Sequence, residues 1–316
     1  MLPGMSADEQ ILTNIEVLSL KAIPKSLIVI GSGAVGVEFA SIYKSFGTDV
    51  SILEMLPRYV PVEDEEVSKE LARVYRKRGI NGFTSAKVEK VEKTKAGVSV
   101  TFTVDGKQQT IEAEKVLIAI GRAPRTENIG LEKTKVKVER GFVEVDEYMR
   151  TAEPGVYAIG DIVAGYPQLA HSGAMEGIVA VTHIAGKPVK KINKLRIPGA
   201  TYCHPEIGSV GLTEAKAKEA GYEVKIGKFP FTANSRASIV GQHEGFIKIV
   251  SDAKYGEILG VHIIGPNATE MIAEAVVALE LECTAEELAN IIHAHPTLSE
   301  AMLDAANAVF GMPINT

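Results

Sequence analysis

The chain has 316 residues, 46% of them hydrophobic and 23% charged, a balance typical of a globular protein with about two domains. Its 34 Lys and Arg against 40 Asp and Glu give a formal net charge of −6 without a basic cluster, which argues against a nucleic-acid partner. No apolar run approaches the roughly 18 residues that span a bilayer, and no signal-peptide pattern is evident, so we expect no membrane association. The two cysteines, Cys203 and Cys283, favour buried thiols in a reducing, cytoplasmic setting over a disulfide.

The pattern around which the chain is organised lies near its start. Residues 1–25 are predicted to be extended, with a short helix around residues 15–20. An apolar run at 27–30 then predicts a parallel strand that is buried on both faces. A glycine-rich turn leads into an amphipathic helix that ends near Gly47, and a second strand follows at 50–53. This order of elements predicts the first half of a Rossmann-type dinucleotide-binding domain.

Three glycines and one acid give this stretch its predicted chemistry. Gly31 permits a tight turn, Gly33 lets the backbone approach a pyrophosphate, and Gly36 allows the helix to pack closely on the strand. The helix N-terminus offers N–H groups and partial positive charge to the phosphates. Glu54, after the second strand, stands where a carboxylate bonds the adenosine ribose hydroxyls, which favours NAD, although Arg58 nearby leaves NADP as an alternative. A strand-turn-helix without a ligand is the plain alternative.

The rest of the first domain combines a helix with a small antiparallel sheet. An amphipathic helix is predicted from the acidic stretch 62–66 to a basic end near Arg78. Alternating segments separated by turns predict an inserted β-meander at 86–93, 98–104 and 108–113. An apolar strand at 115–120 then returns to the parallel sheet and ends at Gly121, at the edge where open α/β sheets meet their ligands.

The chain changes character after this strand. A buried strand at 156–159 and a helix at 169–185 form no complete βαβ unit, so this segment is predicted to be the second half of another domain. The last part predicts a separate α+β domain. Its strands are expected at 206–211, 223–231, 246–251 and 258–264, and its helices at 270–281, 285–291 and 300–310. We therefore predict an α/β protein with domains at 1–122, 123–195 and 196–316.

With these segments in order, the chain resembles the flavin-dependent pyridine nucleotide-disulfide oxidoreductases, and within them the branch that oxidises dihydrolipoamide. Six motifs carry the resemblance: GSGAVGVEFA (31–40), AIGRAPRTENIGLE (119–132), VYAIGDI (156–162), LAHSGAMEG (169–177), YCHPEIGSVGLTE (202–214) and HAHPTLSEA (293–301). They span nearly the whole chain in the family's order. The run HPTLSE together with an acid at Glu54 favours the dihydrolipoamide branch, and glutathione- or mercuric-reductase-like enzymes are the alternative.

The resemblance implies an oxidoreductase fold and chemistry. It implies a Rossmann-type NAD-binding domain with a β-meander insert, a partial FAD-domain return segment and a C-terminal α+β dimerisation domain. The implied cofactors are NAD and FAD, and electrons would pass from a dithiol to a cysteine pair, to FAD and then to NAD. The implied partners are a second copy in a homodimer and the lipoyl domain of a 2-oxo acid dehydrogenase complex or glycine cleavage system. A non-catalytic NAD-binding or dimerising module is the alternative from another functional class.

Family members begin with a region that this sequence does not contain. That region holds a first G-x-G-x-x-G for the FAD adenosine and a redox disulfide with the spacing C-x-x-x-x-C. We therefore expect this chain to be a shortened form of such a protein and to be inactive alone.

His295 is the predicted catalytic residue. By resemblance, it takes the thiol proton when the reduced substrate attacks the disulfide, it acts across the dimer, and Glu300 orients its ring. A carboxylate on one ring nitrogen fixes the tautomer and raises the basicity of the other. The alternative is structural, because Thr297 and Glu300 at this spacing before an apolar run also predict a helix capping box. His293 with His295 suggests a metal pair, but no further ligands cluster nearby in the sequence, so no metal is expected.

The remaining predicted site residues are cofactor contacts implied by the resemblance. Glu38 would approach the nicotinamide and Asp161 would accept a ribityl hydroxyl of FAD, whereas the plain alternatives are an exposed helix residue and a turn aspartate. The backbone N–H groups of Ala170 and His171 would point at the flavin pyrimidine ring. The next three residues, 172–174, depart from the charged residues expected there, so their local contacts are open.

An apolar stripe on the predicted helix at 270–281 has two interpretations. It consists of Met271, Ala275 and Leu279. Core packing is the plain interpretation, and a dimer seam is an extension of it.

Overall fold

The computed structural model describes residues 6–315. Its strands are β1 Ile11–Leu12, β2 Ser26–Ile30, β3 Asp49–Leu53, β4 Asn81–Phe83, β5 Lys87–Lys93, β6 Val98–Val104, β7 Lys107–Ala113, β8 Lys115–Ile118, β9 Val138–Glu139, β10 Phe142–Val143, β11 Gly199–Thr201, β12 Glu206–Gly211, β13 Val224–Pro230, β14 Phe246–Asp252 and β15 Ile258–Gly265. Its α-helices are α1 Ala34–Ser45, α2 Glu65–Lys77, α3 Ala170–Ile184, α4 Glu214–Glu219, α5 Ser235–Val240, α6 Ala268–Glu280, α7 Ala285–Ala289 and α8 Glu300–Ala308. Short 3₁₀ turns lie at Val17–Ser19, Leu131–Lys133, Gly160–Ile162, Lys194–Arg196 and Phe231–Ala233.

The chain divides into two compact units. One combines the residues up to Gly121 with those from Pro198 onward, and the other is Arg122–Ile197. The first and last predicted domains therefore belong to one unit, and the middle segment forms a unit of its own. The three-domain division at 1–122, 123–195 and 196–316 stays a prediction.

A parallel sheet forms the centre of the first unit. Its strand order is β1-β8-β2-β3-β4, and every neighbouring pair is parallel. Leu27 and Val29 of β2 pack into the core that includes α1 and α2, whereas Ile28 and Ile30 pack into the core that includes β6. Both faces of the strand are thus covered, which explains its unbroken apolar sequence. The fold class predicted from the sequence is confirmed.

The predicted helix and meander of this region are both present. Helix α2 buries Val67, Leu71 and Val74, carries acids in its first turn and has basic residues in its last turn. Strands β5, β6 and β7 pair as an antiparallel meander whose buried side chains come mainly from β6. The meander thereby supplies the layer on the second face of the parallel sheet.

The C-terminal part of the first unit is built on an antiparallel sheet of order β11-β12-β15-β14-β13. All residues of β14 and β15 are buried. One face packs against α6, α7 and α8, while Phe246 and Ile264 from the other face join the core around α2. Met271, Ala275 and Leu279 of α6 lie in the first of these cores, so their stripe is core packing.

The middle unit differs from the prediction in one element. The predicted strand at 156–159 is wrong, because the only ladder contact found there among residues 6–315 is an isolated bridge from Tyr157 to Arg150. Val156 and Ile159 are 37% and 44% exposed. A β-strand needs a neighbouring strand for its backbone groups, and apolar composition alone does not supply one. Helix α3 is present, as predicted.

Three other local differences have simple causes. The predicted helix at 15–20 is a single 3₁₀ turn at Val17–Ser19, too short for an α-helical ladder. Strand β4 was not predicted, because a three-residue segment with a central glycine has no periodicity to detect. Helices α4 and α5 were not predicted either, because six residues are too few to show a helical periodicity. Within residues 6–315, no helix combines the length and apolar composition that crossing a membrane requires.

Candidate functional site

The glycine loop between β2 and α1 has a separate steric reason for each glycine. Gly31 has φ +101°, and a Cβ there would lie 2.4 Å from the Ala119 carbonyl oxygen. A Cβ on Gly36 would lie 2.0 Å from the Gly31 carbonyl oxygen. The absence of a side chain at Gly36 therefore lets α1 pack closely against the glycine loop, more than against strand β2. A Cβ on Gly33 would meet nothing within 4 Å. Gly33, the N-cap of α1, therefore opens onto free space at the helix N-terminus, which is the cradle that a pyrophosphate fits.

Glu54 is buried and binds this loop. Its Oε2 accepts hydrogen bonds from the N–H of Ser32 at 2.7 Å and from the Ser32 hydroxyl at 2.8 Å, and its Oε1 accepts the N–H of Leu56 at 2.8 Å. A carboxylate has about four lone-pair positions, so three are used and one on Oε1 remains for a ribose hydroxyl. Burial and the nearby Glu54 carboxylate raise the pKa of Tyr59 to about 12. Arg58, which left NADP open, donates to the Pro61 carbonyl at 2.8 Å.

Gly121 lies at the same edge of the sheet as the glycine loop. Its strand, β8, pairs with β2 in parallel register, so the carboxyl ends of the two strands meet. Gly121 has φ +117° and open space where a Cβ would stand. The structure thus brings Gly31, Gly33, Glu54 and Gly121 to one edge of the sheet, where open α/β sheets bind their ligands.

Glu38 extends from α1 toward the antiparallel part of the unit. Its Oε1 accepts the N–H of Tyr202 at 2.8 Å. Arg78 supports this contact, because its guanidinium donates to the hydroxyl of Ser41 at 2.8 Å and to the carbonyl of His204 at 2.7 Å. Helix α1 is thereby tied to the turn before β12. Glu38 is half-buried at this junction and is not a freely exposed helix residue.

His295 and Glu300 form a direct pair. His295 Nδ1 lies 2.9 Å from Glu300 Oε1, and Glu300 Oε2 accepts the N–H of Thr297 at 2.8 Å. Burial tends to raise the pKa of Glu300, but the Thr297 N–H and the His295 ring hold it below its ordinary value. The carboxylate therefore stays ionised beside the ring. The imidazole itself is 69% exposed, which leaves Nε2 as the ring nitrogen for a substrate proton.

The alternative capping box is realised only in part. Glu300 does accept the Thr297 N–H, but the Thr297 hydroxyl donates to the Ala294 carbonyl at 2.7 Å instead of capping α8. The N-cap of α8 is Ser299, and its side chain makes no capping bond. The hydroxyl half of the predicted box is therefore wrong. His293 pairs with Glu274 at 2.8 Å, and residues 6–315 contain no cluster of three potential metal ligands.

The middle unit holds the predicted FAD contacts. Asp161 lies in the 3₁₀ turn Gly160–Ile162 with its carboxylate 3.7 Å from Arg122 Nη1. A buried acid that the sequence reasoning missed, Glu176, accepts the Gly160 N–H at 2.7 Å and the Ser172 hydroxyl at 2.7 Å. Its only sequence signal is an acid within an apolar helix four residues after a serine. Glu176 therefore fixes the turn that presents Asp161.

Helix α3 begins close to this turn. Its N-cap is Leu169, which makes no side-chain capping bond, and Ala170 and His171 lie exposed in the first turn of the helix. A Cβ on Gly173 would lie 3.1 Å from Gly160 Cα, so a residue without a side chain at this position lets α3 approach the turn closely. A helix N-terminus at this position suits hydrogen-bond acceptors, such as flavin carbonyls, within the middle unit.

Both cysteines are free thiols, Cys203 buried and Cys283 partly buried. Burial raises the pKa of Cys203 to about 12, and burial also raises the pKa of Cys283. A protonated thiol is a poor nucleophile at neutral pH. The raised pKa values leave both sulfurs mainly protonated at neutral pH.

Sequence reasoning also missed two residues of the dinucleotide region. Ser32 is the variable residue of the first G-x-G. Its hydroxyl is the only sequence feature that indicates a hydrogen bond to a residue such as Glu54. Tyr202 is exposed, and it contacts Glu38 through its backbone, which no sequence pattern reveals.

Comparison with known families places these features in context. Residues 1–177 match the pyridine nucleotide-disulphide oxidoreductase family, and residues 197–306 match the dimerisation domain of the same family. The chain belongs to this family. The resemblance inferred from the sequence is thus confirmed, and the dihydrolipoyl dehydrogenases of the family use FAD and NAD.

Individual relatives in the family are similar over nearly the whole chain. A dihydrolipoyl dehydrogenase from Rhizobium etli is 47% identical across 99% of this chain and 66% of its own length. That from Bacillus subtilis is 44% identical across 100% of this chain and 67% of its own length. The crystal structure of LpdA from Mycobacterium tuberculosis gives a TM-score of 0.89 at 33% identity, covering 97% of this chain and 66% of that one. The chain spans about two thirds of the length of these relatives.

Proposed function

We propose that this chain is the NAD-binding and dimerisation part of a dihydrolipoyl dehydrogenase. The whole protein transfers two electrons from protein-bound dihydrolipoamide to NAD⁺, giving lipoamide, NADH and a proton. It acts as a cytoplasmic homodimer on the lipoyl domain of a 2-oxo acid dehydrogenase complex or glycine cleavage system. The domains proposed for this work are 1–122 for NAD, 123–195 for part of the FAD site and 196–316 for dimerisation.

The pairing of His295 with Glu300 is the observation that carries the proposal. A thiol must lose its proton before its sulfur attacks a disulfide, so the reaction needs a base at the substrate. The ionised Glu300 holds Nδ1 at 2.9 Å and leaves Nε2 on a largely exposed ring to take that proton. An isolated surface histidine would have neither the orientation nor the electrostatic support.

The glycine loop is the proposed NAD site. The pyrophosphate lies against Gly33 and the N-terminus of α1, where the structure has room for it. The remaining acceptor position of Glu54 takes a ribose hydroxyl, and Gly31, Gly36 and Gly121 shape the backbone around the dinucleotide. Glu38, positioned by Tyr202, faces the nicotinamide end.

The middle unit is the proposed partial FAD site. FAD, when bound, carries electrons between sulfur and nicotinamide. Asp161 accepts a hydroxyl of the ribityl chain, and the N–H groups of Ala170 and His171 donate to the ring carbonyls. Glu176 keeps the Asp161 turn in place through its bond to the Gly160 N–H.

The proposal is tested on the longest reading frame that contains this chain. The purified protein should reduce NAD⁺ with dihydrolipoamide, and in the reverse direction it should oxidise NADH with lipoamide but with neither oxidised glutathione nor Hg²⁺ as the sole electron acceptor. Turnover with glutathione or Hg²⁺ instead would assign it to another branch of the family. NADH binding without any disulfide reductase activity would indicate a non-catalytic module.

A further inference from the structure

A buried lysine joins the two parts of the first unit. Lys248, on β14, is 1% exposed. Its Nζ lies 2.9 Å from Asp64, 2.8 Å from Glu66 and 2.7 Å from Glu214. Asp64 and Glu66 belong to the start of α2 in the dinucleotide-binding part, whereas Glu214 begins α4 in the C-terminal part. One ammonium group therefore bridges the starts of two helices.

The charges around this lysine are balanced. Glu66 also binds Lys228 at 2.6 Å, and Glu214 also binds Lys218 at 2.6 Å. With Lys248 and Asp64, this gives three positive and three negative groups in alternation. Loss of the central lysine would leave Asp64, 2% exposed, without its ionic partner, and uncompensated buried charge is costly.

Asp64 is the point where the two parts meet. Its Oδ1 accepts the N–H of Glu66 at 3.0 Å, which caps α2. Its Oδ2 accepts the N–H of Glu214 at 3.2 Å, at the start of α4. The Lys248 ammonium binds the same Oδ1 that caps α2. Asp64 is thus fixed by its own helix and by two elements of the C-terminal part.

A short strap connects Asp64 to the dinucleotide loop. The strap, residues 54–64, starts at Glu54, the acid that binds Ser32. Midway, the N–H of Val60 donates to the Ser32 carbonyl at 3.0 Å. Val60 has φ +39°, a conformation that a β-branched residue adopts only when its surroundings impose it. The Val60 carbonyl accepts the N–H of Glu63 at 2.9 Å, next to Asp64, so the far end of the strap that Lys248 holds is coupled to Val60.

We propose that Lys248 is a positioning residue for the dinucleotide site. It anchors Asp64, the anchored strap keeps Val60 on Ser32, and the glycine loop is thereby held in the form that accepts NAD. The effect on affinity rests on the proposed NAD-binding function, whereas the effect on the loop itself does not.

The test uses two variants of the chain and a matched control. Lys248→Gln removes the central charge. The double variant Lys248→Met with Asp64→Asn removes the buried pair as a unit, keeps a capping side chain and leaves the outer ion pairs balanced. Lys225→Gln, on an exposed position of the neighbouring strand, is the control. Amide hydrogen exchange is followed at Val60 and at Val29, and NADH affinity is measured by calorimetry well below the melting temperature.

The expected result separates positioning from general stability. In both variants, the Val60 amide should exchange faster while Val29 stays protected, and NADH should bind about tenfold more weakly. Simple destabilisation would not change affinity within the folded population. A folded variant with unchanged exchange at Val60 and unchanged NADH affinity would overturn the proposal. If Lys248→Gln does not fold, the double variant provides this test. Absence of NADH binding by the unaltered chain would instead refute the proposed function and leave the exchange result to test the strap.

Discussion

Glu54 Oε2 accepts two hydrogen bonds from a single residue, the N–H and the hydroxyl of Ser32, at 2.7 and 2.8 Å. The carboxylate predicted to select the nucleotide is therefore also the group that shapes the glycine loop. Discrimination against a 2′-phosphate depends on its negative charge, whereas its bonds to Ser32 depend on its being a hydrogen-bond acceptor. The two can be separated by substitutions of different chemistry.

Glu54→Gln should narrow the preference for NADH over NADPH. The glutamine keeps an acceptor for Ser32, but it removes a repulsion of about 1–4 kcal/mol against a 2′-phosphate. Glu54→Ala should in addition weaken both nucleotides, because Ser32 then loses its acceptor. Calorimetric titration of each variant with NADH and NADPH measures both effects. Equal affinity of the unaltered chain for the two nucleotides would contradict the role of Glu54 in selection.

Two neighbouring glycines should respond in opposite ways to alanine. Gly33→Ala should leave the melting temperature nearly unchanged, since its Cβ meets nothing within 4 Å, but it should weaken NADH binding by filling the pyrophosphate cradle. Gly36→Ala should destabilise the fold by about 1–3 kcal/mol or more, because its Cβ would overlap the Gly31 carbonyl. Thermal melting with and without NADH distinguishes the two. Undiminished NADH affinity in Gly33→Ala would place the phosphates elsewhere.

His295→Gln in the whole protein should slow reduction of the enzyme by dihydrolipoamide by about 10²–10⁴-fold, the usual contribution of general base catalysis. Oxidation of NADH by an artificial acceptor bypasses the thiols and should be nearly unchanged. Glu300→Gln should have a milder effect of the same kind, since it orients the ring. Stopped-flow kinetics of the two half-reactions provide the measurement. A parallel fall of both activities would assign His295 a structural role.

The same base should work across the dimer. Heterodimers that combine a subunit lacking His295 with a subunit lacking the redox cysteines should retain one functional site per dimer. Homodimers of either variant serve as controls. Activity below the level of one site in the mixed dimer would place the base on its own subunit's disulfide.

The chain alone should be colourless and without dihydrolipoamide activity. Asp161 and the α3 N-terminus supply only part of the contacts that FAD needs, so its affinity should be low. Absorbance in the flavin region after purification with added FAD is the measurement. A yellow preparation with stoichiometric FAD would mean that the middle unit suffices for binding.

Glu63→Gln should stabilise the protein progressively as the pH rises. Burial raises the pKa of Glu63, only partly offset by Ser209 and Lys216, and its Oε2 lacks a hydrogen-bond partner among the described residues. Below the unfolded-state pKa, the carboxyl is protonated in both states and carries no penalty. Above the unfolded-state pKa, Glu63 ionises in the unfolded chain but stays protonated in the folded protein. The free energy of unfolding therefore falls by up to about 1.4 kcal/mol per pH unit until the pH reaches the raised pKa of Glu63 in the folded protein. The melting temperatures of the unaltered chain and of Glu63→Gln, measured at several pH values between about 5 and 8, should differ by more as the pH rises. Parallel curves would rule out an elevated pKa.

Sequence patterns predicted the elements whose physics is local. The glycine spacing and the apolar run at 27–30 each depend on neighbouring residues, and both are present as expected. The His295 and Glu300 pairing was implied by the family resemblance, because their spacing alone predicts a capping box equally well.

Contacts between distant segments escaped prediction for a physical reason. Lys248 appears in sequence as a lysine on a strand, a residue type usually exposed, and its burial becomes favourable only when Asp64 and Glu214 converge on it. Glu176 depends in the same way on Gly160, and Tyr202 contacts Glu38 through a backbone group that every residue has. Such contacts depend on the folded topology and carry no local composition signal.

The extended segment around Tyr157 has a practical consequence for handling this chain. Val156 and Ile159 expose apolar side chains, and Tyr157 contributes the one bridge found there among residues 6–315. An extended edge with apolar side chains is a template on which other chains can add strands. Preparations of this chain should therefore aggregate at high concentration through this segment, and a charged substitution such as Ile159→Lys should keep them monodisperse.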